Sequence, residues 1–276
     1  MPYFYRNDSI DSGKNVNLLF VHIPKTGGTS FENYLSDLYN IPLNFYSLLS
    51  PKVQAGDTST PQHYTLHTIW NRRKEIRLFE ENLRIITLVR NPYSRMISEL
   101  FFRNLINIST IPNEVTKCIY RYLNDNTTTY DNHRLPQIEF LLDSSGKIWN
   151  GVEILHLENI KHDLAQQGFH NFHHHNNSAT KIRFTKFLND ESYRLINDYY
   201  SQDFATFGYH MIHKANNHTS SHASHTSHTS NSTNSLRFRR LLTSAHYIYD
   251  IHSELIYVFL FCILVLIAIV LFKFKK

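Results

Sequence analysis

The sequence predicts an α/β protein: a central parallel β-sheet flanked by helices, built on a strand–loop–helix unit near the N-terminus, with a C-terminal transmembrane helix beyond it. Three observations predict this. Residues 17–23 (NLLFVHI) and 83–89 (LRIITLV) are almost unbroken apolar runs, the pattern of strands covered on both faces. Each run passes at once through a short turn into residues with helical periodicity. Residues 255–272 form an uncharged apolar stretch of 18 residues, about 27 Å long as a helix at ~1.5 Å per residue, which approaches the ~30 Å hydrocarbon thickness of a bilayer.

The first strand stops at Pro24. Lys25, Thr26, Gly27, Gly28, Thr29 and Ser30 form the turn, and Phe31, Tyr34, Leu35 and Leu38 recur as the apolar stripe of a helix. A helix start leaves its first backbone N–H groups unpaired and places the positive end of its dipole beside them, so an anion is the natural occupant. The two glycines remove Cβ atoms from the approach, Thr29 and Ser30 add hydroxyls, and Lys25 adds a mobile charge. A Walker A loop places its lysine after the glycines, whereas Lys25 precedes them, so an ATPase or GTPase loop is disfavoured.

The segment HIPKTGGTSF resembles the 5′-phosphosulfate loop of carbohydrate O-sulfotransferases related to the heparan sulfate 2-O- and 6-O-sulfotransferases, and further segments agree in order. In TLVRNPYSRMISEL, Asn91 is a good N-cap and Pro92 suits the first helical position. This block is similar to the family's 3′-phosphate motif, with Arg90 and, eight residues on, Ser98 as the implied phosphate ligands. Leu135, Pro136 and Gln137 resemble the segment before the last core strand, expected over residues 152–157. Glu158, Asn159 and Ile160 with Asp163 and Leu164 resemble a strand-then-helix element read as packing. Tyr200, Asp203, Phe204, Phe207, Gly208 and Tyr209, after a helix over residues 190–200, are similar to the closing motif. The resemblance implies 3′-phosphoadenosine 5′-phosphosulfate (PAPS) as co-substrate and no metal. It also implies a histidine base between loop and second strand: His63 is the candidate, with His67 and His22 behind it, its merit a neutral-range pKa.

With 276 residues, 42% of them hydrophobic, the chain can bury one sizeable core. A net charge of +5 favours anionic partners. The partners expected are PAPS, a carbohydrate acceptor such as an acidic glycan, and a membrane through the C-terminal helix; nucleic acid is not among them. Cys118 and Cys262 are the two cysteines, the latter inside the apolar tail, so neither a disulfide nor a cysteine metal site is expected. Arg72, Arg73, Lys74 and Arg77 read as a solvated helix face, and residues 105–132 as a polar insertion with little periodicity. The catalytic domain is expected over residues 1–212, a His/Ser/Thr-rich disordered linker over 213–236, a juxtamembrane segment over 237–254 and the anchor over 255–272. The linker histidines His222, His225 and His228 lack the fixed geometry of a metal site. Flanking charges give contradictory orientations, and the compartment stays open. A nucleotide-dependent kinase or other phosphoryl transferase, or a non-catalytic glycan- or nucleotide-binding module, are the alternatives.

Overall fold

The computed structural model describes residues 2–7, 15–43, 57–127, 130–172 and 183–213. These lie in one compact unit, Met1–Asn216; a second unit, Asn217–Lys276, is outside the described residues, and the expected juxtamembrane segment and membrane anchor, with the expected linker from residue 214 on, also lie outside them. Among the described residues no helix is long and apolar enough to cross a membrane.

The sheet has four strands in the order β1 (Tyr3–Arg6), β2 (Val16–Val21), β3 (Arg84–Val89), β4 (Val152–His156). β2, β3 and β4 are parallel, with Leu18 beside Arg84 and Ile85 beside Val152. β1 runs antiparallel to β2, with Tyr3 beside Leu19. The sheet is therefore mixed, which corrects the all-parallel expectation. A four-residue strand is too short to announce itself by periodicity, and its partner decides it: Phe4 is buried on one face, while the Tyr3 hydroxyl donates to Asn17 Oδ1 at 2.9 Å and accepts from the Phe79 N–H at 3.0 Å.

Side chains alternate across the strands. Leu18, Phe20, Ile86, Leu88 and Leu155 face α1 (Gly28–Tyr39) and α6 (Ile160–Gln166), meeting Phe31, Leu35, Leu164, Phe169 and Phe172. Full burial of a side chain such as Phe31 contributes roughly 1.5–3 kcal/mol. Leu19, Val21, Ile85 and Val89 face α2 (Leu66–Asn71), α3 (Arg73–Ile76) and the Phe140–Leu141 pair. Thr87 is the polar exception inside β3, and its hydroxyl donates to Val21 O at 2.9 Å.

A third core joins α4 (Pro92–Phe102), α5 (Pro112–Asn124), α7 (Asp190–Tyr199) and α8 (Ser201–Thr206) through Ile97, Leu100, Val115, Ile119, Ile196 and Phe204. α5 lies inside the stretch expected to be an insertion without periodicity. Its stripe of Val115, Ile119, Tyr122 and Leu123 is buried, although polar residues separate those positions in sequence. The helix expected to carry Arg72, Arg73, Lys74 and Arg77 on one solvated face is broken at Arg72 into α2 and α3, with Arg77 capping α3.

Candidate active site

The carboxyl ends of β2 and β3 open toward one edge of the sheet, the edge where open α/β sheets bind ligands. After β2 the chain turns through Lys25, at φ 66°, and Gly27, at φ 89°, into α1. Gly27 is the helix N-cap in a left-handed conformation that favours glycine, and its carbonyl accepts the Ser30 N–H at 3.1 Å. Gly28 also meets a neighbour across the turn. A Cβ there would stand 2.5 Å from Nε2 of His22, so the missing side chain makes room for that imidazole. The Thr26 hydroxyl is also committed, donating to Ile23 O at 2.8 Å in a fully buried position. Ser30 is buried and its hydroxyl has no partner among the described residues, and Thr29 is half-buried.

α4 forms the facing wall. Asn91 caps it as the sequence predicts, its Oδ1 accepting from the Tyr93 N–H at 3.0 Å, with Pro92 in the first turn. Arg90, at the end of β3, is 8% exposed. Gln137 locks its backbone by accepting from its N–H and donating to its carbonyl, both at 2.8 Å. The guanidinium donates to Ser94 Oγ at 2.9 Å and to Lys25 O at 3.2 Å, so the two expected anion-binding segments are neighbours. No carboxylate lies within ion-pairing distance of Arg90 or Lys25 among the described residues. Burial pushes the Arg90 pKa down, partly opposed by Glu158 and Tyr209. Lys25 is likewise lowered, chiefly by burial and partly opposed by Glu99, and its ammonium rests 3.9 Å from the centre of the Phe102 ring. Ser94, Ser98 and Phe102 succeed one another along a single α4 face, four residues apart. Ser98 is thus flanked by the Arg90 contact and the Lys25 contact, and its buried hydroxyl has no partner among the described residues.

His63 is buried beside this wall, in a short 3-10 turn, Pro61–His63. Its Nδ1 is 2.7 Å from Oδ2 of Asp131, and its ring meets His133 edge to face at 4.8 Å and His22 at 5.3 Å. Burial pushes its pKa from 6.5 down to about 4, against the upward pull of Asp131. Asp131 is held low because the contact with His63 outweighs its own burial. The other candidates separate clearly. His67 is exposed on α2, bonded to Asn71, while His22 is 2.5 Å from the buried Glu32, which Gln62 also contacts at 3.4 Å. For Glu32, burial raises the pKa, and the pairing with His22 more than offsets it.

Several residues here gave no signal in the sequence. Arg95 donates to Pro24 O at 3.0 Å, Leu135 O at 3.0 Å and His133 O at 2.8 Å, holding the loop to the segment after Asp131. Nδ1 of His133 pairs with Glu99 at 2.8 Å; Glu99 also accepts from Arg103 and Tyr122, and these partners outweigh burial to hold it at about 2. Glu158, expected to be packing, accepts from the Asn91 N–H at 2.8 Å and the Tyr209 hydroxyl at 2.9 Å. His63, Asp131 and His133 also bring possible metal-ligand atoms within 4.8 Å of one another, a grouping distinct from the histidine tracts noted in the sequence. The hydrogen bonds of Asp131 to His63 and of Glu99 to His133 occupy the Nδ1 atoms of that set.

Lys25 and Arg90, neither ion-paired with a carboxylate among the described residues, meet at the carboxyl edge of the sheet beside the start of α1 and the buried Ser98, and the His63 ring is joined to them through His133 and Phe102. That donor set fits a ligand carrying more than one anionic group. A model of the sulfotransferase family matches residues 8–140, a span that contains Lys25, His63, Arg90, Ser98, Asp131 and Gln137. The match supports sulfuryl transfer as the reaction class. No curated protein matches the chain.

Proposed function

We propose that the chain is a PAPS-dependent sulfotransferase acting on a hydroxyl group of a carbohydrate, such as an acidic glycan, and that its C-terminal apolar run anchors it to a membrane. The single observation carrying the nucleotide assignment is a pair of buried cations with no ion-paired carboxylate among the described residues, Lys25 and Arg90, linked by the Arg90 bond to Lys25 O. An unpaired charge removed from water is costly unless a ligand completes it. Lys25 with the residue 26–30 turn is assigned to the 5′-phosphosulfate, and Arg90 with Ser98 to the 3′-phosphate. The carbohydrate acceptor and the anchor rest on the family resemblance and on composition.

PAPS, when bound, supplies the sulfuryl group. The bond between sulfur and the phosphate oxygen breaks, the acceptor oxygen forms the new one, and the acceptor proton passes to Nε2 of His63. His63 is neutral at pH 7 with its pKa near 4, so that nitrogen carries a lone pair. Lys25 neutralises charge developing on the leaving phosphate, an electrostatic role that typically contributes about 10²–10³ in rate per donor. Arg90, fixed by Gln137 at its backbone, orients the nucleotide.

The test is transfer of radiolabelled sulfate from PAPS by the full-length chain to a panel of glycans. Activity is expected for at least one glycan, and Lys25→Ala should lower kcat by about 10²–10³ while leaving the melting temperature in place. Parent-like transfer by Lys25→Ala would refute its role. Tight binding of ATP in place of 3′,5′-ADP, measured by calorimetry, would favour a phosphoryl transferase. The acid limb of kcat/KM is expected near pH 4, well below that of an ordinary histidine.

A further inference from the structure

The base in this reading has a partner that neither motif nor family match assigns. Tyr130, Asp131 and Asn132 have φ of 52°, 55° and 62°, three successive non-glycine residues in the left-handed region. L-residues enter that region singly and at a cost, and a run of three persists only where surrounding contacts over-determine it. Tyr130 is held from the α4 and α5 side by Arg103 and Asp125, and the next two residues reach His63. The Asn132 amide donates to His63 O at 2.9 Å, and the Asp131 carboxylate meets the His63 ring at 2.7 Å. Thr60, three residues before His63, fixes the carboxylate from the other side: its N–H donates to Oδ1 at 2.5 Å and its hydroxyl to Oδ2 at 3.0 Å.

A carboxylate only accepts, so the imidazole nitrogen facing it must carry the proton. We propose that Asp131 is the positioning residue for His63, holding the imidazole in its Nδ1–H form so that the Nε2 lone pair is free to take a proton. The assignment of the proton acceptor rests on the sulfotransferase reading; the tautomer does not.

The Thr60 N–H makes the proposal sharp, because it decides how an amide would sit in place of the carboxylate. In Asp131→Asn the amide oxygen must remain at the Oδ1 position to accept from Thr60, which turns the NH2 group toward Nδ1 of His63. That nitrogen must then accept, and the ring proton moves to Nε2, where it blocks proton uptake. A residue that merely anchored the turn to Thr60 would produce no such inversion.

The experiment uses the full-length chain labelled with 15N-histidine, the His63 signals being identified by their loss in His63→Gln. The parent is expected to show the Nδ1–H tautomer at pH 7, and Asp131→Asn the Nε2–H tautomer. With PAPS and an acceptor, Asp131→Asn should lower kcat at least 100-fold with the KM for PAPS changed less than twofold. Thr60→Val, which removes the hydroxyl bond to Asp131 and spares its contact with His63, should retain the parent tautomer. An Nε2–H tautomer in the parent overturns the proposal without any variant having to fold. So does an Asp131→Asn protein that keeps both the Nδ1–H form and the parent kcat. A chain inactive toward every acceptor, yet showing the tautomer inversion, would overturn the sulfotransferase reading and support the positioning role of Asp131.

Discussion

Arg84 and Arg90 stand at opposite ends of the same strand, about 20 Å apart at ~3.3 Å per residue, and the chain treats them in opposite ways. Arg84 makes a bidentate pair with Glu153, two bonds of 2.7 Å, and lies over the Phe169 ring at 4.7 Å. The Glu153 hydrogen bond raises its pKa. Arg90 is more deeply buried, has no ion-paired carboxylate among the described residues, and its pKa is lowered by that burial. The amino end of the sheet satisfies its charges internally, whereas the carboxyl end keeps cations that await an external anion. Burial depth without an ion-paired carboxylate, rather than the presence of arginine, marks the binding edge.

The largest expected effect breaks or upholds this contrast directly. Arg90→Ala should weaken 3′,5′-ADP binding about 100–1000-fold, roughly 3–4 kcal/mol, with little loss of melting temperature because an unpaired buried charge has been removed. Arg84→Ala should leave that affinity within about twofold. Titration calorimetry on both variants decides it, and the reverse pattern would sink the comparison.

Next comes pH. The folded-state pKa of His63, about 4, lies below its ordinary 6.5, so between those values the unfolded chain binds the proton more tightly. Its contribution is full above about pH 6.5 and is lost as pH falls toward 4, up to about 3 kcal/mol. Urea unfolding at pH 7 and pH 4.5 should show this slope in the parent and a flatter one in His63→Gln. Slightly smaller is the ligand effect: 3′,5′-ADP at about 100 times its Kd should add ~2.7 kcal/mol to the parent and to Arg84→Ala, and no more than about 0.4 kcal/mol to Arg90→Ala at the same concentration. The smallest effect belongs to the amino end. A double-mutant cycle on Arg84 and Glu153 should give a coupling of about 0.5–1 kcal/mol that shrinks with added salt, since both side chains are partly exposed.

What could be read from sequence follows from how local each cause is. The two inner strands are buried on both faces, so Leu18 to Val21 and Ile85 to Val89 are apolar but for Thr87. The Asn91–Pro92 start of α4 is written in adjacent residues, and Arg90 and Ser98 follow from it. β1 escaped because its pairing with β2 is the cause of its conformation. α5 escaped because its apolar stripe is diluted by Asn, Thr and Lys. Asp131 meets His63 across 68 residues through a left-handed turn that contains no glycine to advertise it. Gly28 was legible as a need for space only in part: the occupant of that space, His22, shows itself only in the fold.

The Arg95 guanidinium spends its donors on three carbonyls, from Pro24, Leu135 and His133. It therefore clasps a turn near the start of the chain to one more than a hundred residues later, leaving neither able to loosen alone. Amide exchange should report a shared opening event for the two segments, and cutting the clasp with Arg95→Met should let each breathe at its own rate.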